Sequence, residues 1–416
     1  MGSARPGGVA RPPSGRRGGT DDGTVSVTSV PFWRDVKKLG LLAQVAAAVL
    51  ALGLTAFLVV TAFRGMVARG IPFTFAFLGA EAGFTISEGS LLAIEDGRLV
   101  WRPFRPTDTY LAAFVTGLMN TLRVAVIGIV VATSLGVFVG VGRLAKNGLL
   151  SSLSFAYVEL VRNTPLLLQM FFWYFAVFLN LPAAREAAAW YGGLIVSNQG
   201  AFLPWPRVTG SLGPFLLVLV LAAVAAVVGH RWGRATARGG LFGLVGFFVV
   251  AAAGIAVVGL PFTLSYPEMG RFRIAGGTTL SPEFAAVLLS LVIYTAAFVA
   301  EVIRGAIQSL HAGQTEAARA LGLTYGQTMR LVVLPQAVRI AIPPIGNLHL
   351  SLMKNTSLAV AVGYPDLFNV YRTIGNQSGR SLEGVVIVMI VYLALSLLIS
   401  GAINAYNRRV MRTWGG

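Results

Sequence analysis

Residues 316–335 read EAARALGLTYGQTMRLVVLP, a polar stretch set between two long apolar runs. Residues 314–321 (QTEAARAL) are good helix formers, and Gly322 suits a helix C-terminus because it enters the left-handed backbone region without penalty. Thr324 can cap a second short helix, which is expected to end before Pro335. The expected unit is two short helices joined at a glycine and held in water between membrane spans. Small alanines let another surface come close, and Glu316 offers that surface a charge.

The composition sets the frame for this loop. Of 416 residues, 55% are hydrophobic and 12% charged, with a mean hydropathy of +0.73. Soluble domains carry about 25% charged residues, so the chain reads as an integral membrane protein. The net charge of +17 would suggest nucleic acid in a soluble protein. Here it fits an excess of Lys and Arg on cytoplasmic loops, and no nucleic-acid partner is expected. There is no cysteine, which excludes disulfides, iron–sulfur clusters and thiolate metal sites. Glycine makes up 49 residues, as expected where helices pack closely in lipid.

Read in order, residues 1–39 form a basic tail rich in Gly, Pro, Ser and Arg, expected to be disordered and to stay in the cytoplasm. A first span covers 40–63. Residues 64–115 form a periplasmic excursion of mixed charge. Further spans are expected near 119–142, 165–181, 214–229, 240–260, 284–303, 340–363 and 384–406, with a short cytoplasmic tail at 407–416. The fold class is therefore all-α, with about eight transmembrane helices and both termini cytoplasmic. This arrangement puts every basic loop on one side, and residues 304–338 fall on that same side.

The pattern EAA-x3-G-x9-V-x-L-P resembles the cytoplasmic loop of the membrane permease subunits of bacterial ABC importers, with Val332 where that family has isoleucine. The whole chain resembles the long permease subunits of general or polar L-amino-acid ABC importers, most strongly over 116–406. The helix pair within about 182–283 is an insertion that shorter relatives lack. The resemblance implies a type I ABC importer permease fold in a bacterial inner membrane. It further implies that Glu316, Ala317, Ala318, Gly322, Leu334 and Pro335 dock on a separate ABC ATPase dimer. That ATPase would carry the ATP and magnesium, with no cofactor on this chain. A periplasmic amino-acid-binding protein and a second, non-identical permease subunit complete the implied partners.

Polar groups inside a membrane are costly, so each is a functional candidate. In VELVRNTPLLLQ (158–169), Glu159 and Arg162 stand at i, i+3 and can pair, while Pro165 predicts a break after Asn163 and Thr164. The stretch also resembles its equivalent in polar amino-acid permeases. The pair reads either as an interfacial ion pair or as a gate, and Asn163 and Thr164 either as packing or as pathway. In span seven, Lys354, Asn355, Thr356 and Ser357 interrupt an otherwise uncharged run, and Pro343 and Pro344 can unwind the helix before them. A buried cation with three hydrogen-bonding neighbours suits a substrate carboxylate or amide. The same side chains can instead hold helices together. Glu301 and Arg304 form another i, i+3 pair, read as a cytoplasmic-end ion pair or a gate element. His349 has no second ligand at metal spacing.

The chain contains no G-x-x-x-x-G-K-[ST], H-E-x-x-H or G-x-S-x-G, so it is not expected to hydrolyse ATP or act as a common membrane hydrolase. The expected function is translocation of L-amino acids from periplasm to cytoplasm, driven by a partner ATPase. The alternative is an ion-gradient-driven secondary carrier, which would often carry matching broken helices in repeated halves.

Overall fold

A computed structural model describes residues 36–414, apart from 69, 71–72, 96–97, 188, 191–192, 209–211, 233–238, 261 and 271–273. The basic tail up to residue 35 and part of the basic loop at 230–238 lie outside the described residues. The chain divides into two compact units, Met1–Phe73 and Thr74–Gly416. The described part of the first is a long helix, α1 (Val36–Ala68). Its side chains are exposed along its length, which suits a helix apolar on every face and surrounded by lipid.

The second unit opens with a short helical turn, Ala76–Gly79, followed by the hairpin β1 (Ser90–Glu95) and β2 (Arg98–Pro103). The long helix α2 (Tyr110–Gly142) follows, its N-terminus capped by Thr109. Next come α3 (Gly148–Arg162) and the short α4 (Leu166–Phe171), which runs on through a wide turn, Phe172–Val177, and a tight one, Phe178–Asn180. Strands β3 (Ala189–Trp190), β4 (Leu194–Ser197), β5 (Gly200–Leu203) and β6 (Trp205–Val208) lead to a helical hairpin, α5 (Leu212–Trp232) and α6 (Gly239–Val258). Strands β7 (Phe262–Ser265), β8 (Glu268–Met269), β9 (Ile274–Ala275) and β10 (Thr278–Leu280) return the chain to the bundle. It ends with α7 (Pro282–Gln308), α8 (Ala312–Ala320), α9 (Tyr325–Thr328), α10 (Leu334–Asn355), α11 (Leu367–Ser378) and α12 (Ser381–Trp414).

Among the described residues, seven helical stretches are long and apolar enough to cross a membrane, and Leu166–Asn180 is a shorter apolar helix. The strands depart from a purely helical reading. They are short antiparallel ribbons in the connections between spans, including a four-stranded sheet in the order β10-β5-β4-β3. Unpaired strand edges are tolerable there, whereas in hydrocarbon their backbone groups would have no partner.

The main core lies where α2, α4, α7 and α10 meet, around Val124, Met170, Phe284, Leu291, Leu352 and Tyr364. Helices α2 and α7 approach closely because glycine lines the seam. A methyl group at Gly136 would sit 2.5 Å from Val299 Cβ, and one at Gly140 would sit 2.7 Å from the Ala300 carbonyl. A second core packs the excursion against α2 and α11, through Leu91, Phe104, Phe114, Leu367 and Ile374. Helices α5 and α6 pack on each other with similar closeness, Gly243 lying against the Ala226 carbonyl.

Two helix boundaries differ from expectation. Helix α9 does not stop before Pro335. It continues through a wide turn, Met329–Val333, directly into α10, where Pro335 occupies the first turn. The wide turn, in which the Leu334 amide bonds back to the Met329 carbonyl, breaks the regular register just ahead of Pro335, where a residue without an amide is tolerated. Pro343 and Pro344 lie inside α10 without ending it. Neighbouring helices hold α10 in place, and Gly346 lies against Ile403 of α12.

Candidate functional site

The loop between α7 and α10 closes with well-formed helix ends. At the end of α8, the Leu323 amide donates to the Ala318 carbonyl (3.1 Å) and the Gly322 amide to the Arg319 carbonyl (2.9 Å). This double closure requires a left-handed residue, and Gly322 supplies it at φ +77°. Thr324 then caps α9: its hydroxyl accepts from the Gln327 amide, and its own amide donates to Gln327 Oε1 at 2.9 Å. Ala318 is buried and Pro335 half-buried, whereas Glu316, Ala317, Gly322 and Leu334 are exposed. Leu321 and Tyr325 stand 81% and 65% exposed beside them, a pair of apolar side chains that motif reading did not single out.

The break at Pro165 is built to keep its backbone groups satisfied. Helix α3 ends at Arg162 with Asn163 as its C-cap. Gln169, nearly buried, donates to the carbonyls of Val161 and Thr164, both at 3.0 Å. Asn163 Nδ2 donates to the Glu159 carbonyl (2.8 Å) and the Thr164 hydroxyl to the Leu160 carbonyl (2.8 Å). Glu159 and Arg162 form no ion pair among the described residues. The Arg162 guanidinium instead lies 5.3 Å from the centroid of Phe298 on α7. The i, i+3 spacing permitted the pair, but α7 offers Arg162 an aromatic face.

Phe298 belongs to a groove between α7 and α10, lined by Tyr294, Thr295, Phe298, Leu348, Ser351 and Asn355. The rings of Tyr294 and Phe298, one turn apart, have centroids 4.9 Å apart. Of the polar cluster in span seven, Asn355 lines this groove. Thr356 is buried and donates to the Met353 carbonyl at 2.7 Å, with Tyr392 of α12 at 3.4 Å. The Ser357 hydroxyl donates to the Lys354 carbonyl at 2.8 Å. Lys354 is exposed rather than buried, because it occupies a different face of the helix from the buried Leu352 and Met353.

Glu301 pairs with Arg304 at 2.5 Å. It also binds Arg143 at the end of α2, a partner that reading within one helix could not supply. The two guanidinium groups on one carboxylate join the ends of α2 and α7. His349 bonds the Thr133 hydroxyl at 2.8 Å, and no cluster of His, Asp and Glu suited to a metal occurs among the described residues.

Comparison with known proteins agrees with this architecture. The family described as binding-protein-dependent transport system inner membrane component matches residues 132–412, about two thirds of the chain. The protein YhdX of Escherichia coli strain K12, which bears the name of an amino-acid ABC transporter permease, is 40% identical over 88% of this chain and 93% of its own length. The general L-amino acid transport system permease protein AapQ of Rhizobium johnstonii is 41% identical over 81% and 83%. The glutamate/glutamine/aspartate/asparagine transport system permease protein BztB of Rhodobacter capsulatus is 34% identical over 90% and 94%. A multi-pass helical bundle matched over most of its length in this way belongs to the family of binding-protein-dependent transport system inner membrane components.

Proposed function

We propose that this chain is a translocating permease subunit of an ATP-driven importer, carrying L-amino acids of polar or broad range across a bacterial inner membrane. As a permease component it is not the enzyme of the system. ATP and magnesium bind a separate ATPase dimer, a periplasmic binding protein delivers the amino acid, and a second, non-identical permease completes the pathway. The names of the relatives supply the substrate class.

One observation carries the reading. The exposed unit formed by Glu316, Ala317, Leu321 and Tyr325 is connected by α7 and α10 to the groove that holds Asn355, Ser351, Tyr294 and Phe298. In this mechanism, closure of the ATPase dimer pushes on α8 and α9, and α7 and α10 carry the displacement to the groove. Asn355 and Ser351 offer hydrogen bonds to a zwitterionic solute, and the two rings cover its apolar part. Lys354, Asn163 and Thr164 contribute along the route, and Thr356 and Ser357 hold its shape. The ion pair of Glu301 with Arg304 acts as a gate near the loop end, joined there by Arg143.

The test is uptake of labelled amino acid by the complex reconstituted with its ATPase and binding protein. Gly322→Asp places a charge and a strained left-handed residue in the docking unit and brings uptake to background while the protein still inserts. Gly322→Ala adds the strain alone, about 1–2 kcal/mol, and retains part of the activity. Full uptake by Gly322→Asp would sink the docking claim. Uptake by the chain without ATPase or ATP would replace the importer with a gradient-driven carrier.

A further inference from the structure

The residues between the first span and α2 show no chemistry in sequence, yet the structure sets one of their carboxylates at a junction of three bundle segments. Glu88 Oε1 pairs with Arg123 of α2 at 2.5 Å, and its other oxygen accepts from the hydroxyl of Ser281, the N-cap of α7. The Arg123 guanidinium lies 4.2 Å from the ring centroid of Phe284, in the first turn of α7. The carbonyl of Glu88 accepts from Asn120 Nδ2 at 2.8 Å, and the same amide donates to the Pro365 carbonyl at 2.9 Å. Gly89 is pressed so closely on α2 that a methyl group there would sit 2.7 Å from the Asn120 side chain. The Glu88 side chain is 14% exposed, so a charge withdrawn from water is compensated on both oxygens.

We infer that Glu88 is a positioning residue: a permanent strap that makes the excursion, α2, the start of α7 and the turn at 364–367 move as one body during transport. The physical ground is that α2 and α7 are already packed against each other by the glycine seam at Gly136 and Gly140. Glu88 closes the opposite end of the same pair. A displacement entering at the loop through α7 then reaches the far surface without loss in a slipping interface. A strap, unlike a gate, stays closed in every state of the cycle.

This inference rests on the proposed importer function, and its test separates the two. In the reconstituted complex, Glu88→Ala and Ser281→Ala should insert normally but lower the amino acid imported per ATP hydrolysed, Glu88→Ala by about tenfold. A purely structural role would lower protein level and leave that ratio unchanged. Glu88→Gln, which keeps an acceptor for the Ser281 hydroxyl but loses the charge facing Arg123, should retain a ratio between those of Glu88→Ala and wild type. An unchanged ratio in Glu88→Ala, or a ratio in Glu88→Gln no higher than in Glu88→Ala, would overturn the strap. If the wild-type complex imports no amino acid, the importer reading fails. The strap is then judged by melting in detergent: losses from Glu88→Ala and Ser281→Ala that do not add support it, and additive losses reject it.

Discussion

At the scale of single residues, the polar side chains of this bundle are placed by what faces them rather than by their neighbours in sequence. Asp108 illustrates this outside the membrane. It receives Arg102 on both oxygens, at 2.6 and 2.8 Å, and the Arg105 amide at 2.7 Å. The hydrogen bond from Arg102 leads in holding its carboxyl below the ordinary carboxylate value, against the opposing effect of burial. A depressed value means that the charged form is favoured in the fold. The stabilisation is therefore complete above the ordinary carboxylate range near about pH 4 and is lost as the pH falls through the lower folded value. Asp108→Asn should loosen the end of the β1–β2 hairpin at neutral pH by about 1–3 kcal/mol. Hydrogen exchange of the amides at 101–109 would report it, and the difference from wild type should shrink in acid. Equal protection at neutral pH would show that the ion pair is idle.

The same lesson applies to the candidate pathway. Composition places Lys354, Asn355, Thr356 and Ser357 in one cluster, yet only Asn355 of the four lines the groove. Consecutive helical residues point about 100° apart, so a run of four polar residues spreads over every face. Tyr294 and Phe298 complete the groove from a helix whose sequence reads as ordinary apolar packing. Their i, i+4 aromatic spacing was the available signal. Glu159 and Arg162 had the right spacing for a pair, but the Glu159 carboxylate accepts from the Asn163 side-chain amide at 3.4 Å and the Arg162 guanidinium faces the Phe298 ring.

At the scale of elements, the seam between α2 and α7 is the rigid part of the bundle. Gly136→Val would place its Cβ 2.5 Å from Val299 Cβ and 2.8 Å from the Ala296 carbonyl, and the helices could accept it only by separating. Overpacking of this kind costs about 1–3 kcal/mol, seen as a lower melting temperature of the detergent-solubilised protein. Gly401→Ala, on α12 with nothing within 4 Å of the added methyl, is the matched control and should be neutral or slightly stabilising. Equal melting of the two variants would mean that α2 and α7 are not closely packed in solution. The wide turn before α10 belongs to this scale as well. It lets one continuous helix carry the loop into the bundle past Pro335, where local rules predicted a stop.

At the scale of the whole molecule, the chain is one component of a larger assembly. Purified from its native host in mild detergent, it should bring down an ATPase and a second permease in comparable amounts. A chain recovered alone would count against the proposed assembly. The hairpin of α5 and α6 forms its own glycine-lined pair, and the sheet order β10-β5-β4-β3 ties the connections around it back to the start of α7.

The sequence by itself determined that the chain is a multi-span helical membrane protein, where most spans lie, and that a glycine-jointed helix pair sits between two of them. Those are one-dimensional properties: the length of an apolar run, the backbone freedom of Gly322, the capping chemistry of Thr324 and Gln327. Only the tertiary structure decided which polar groups meet. It joined Arg143 to Glu301 across 158 residues and Ser281 to Glu88 across 193. It turned Lys354 outward and Asn355 into the groove, and carried α10 unbroken through Pro343 and Pro344. The physical reason is that a side chain's partner depends on the rotation of its helix and on which distant segment packs against that face, and periodicity along one segment contains neither.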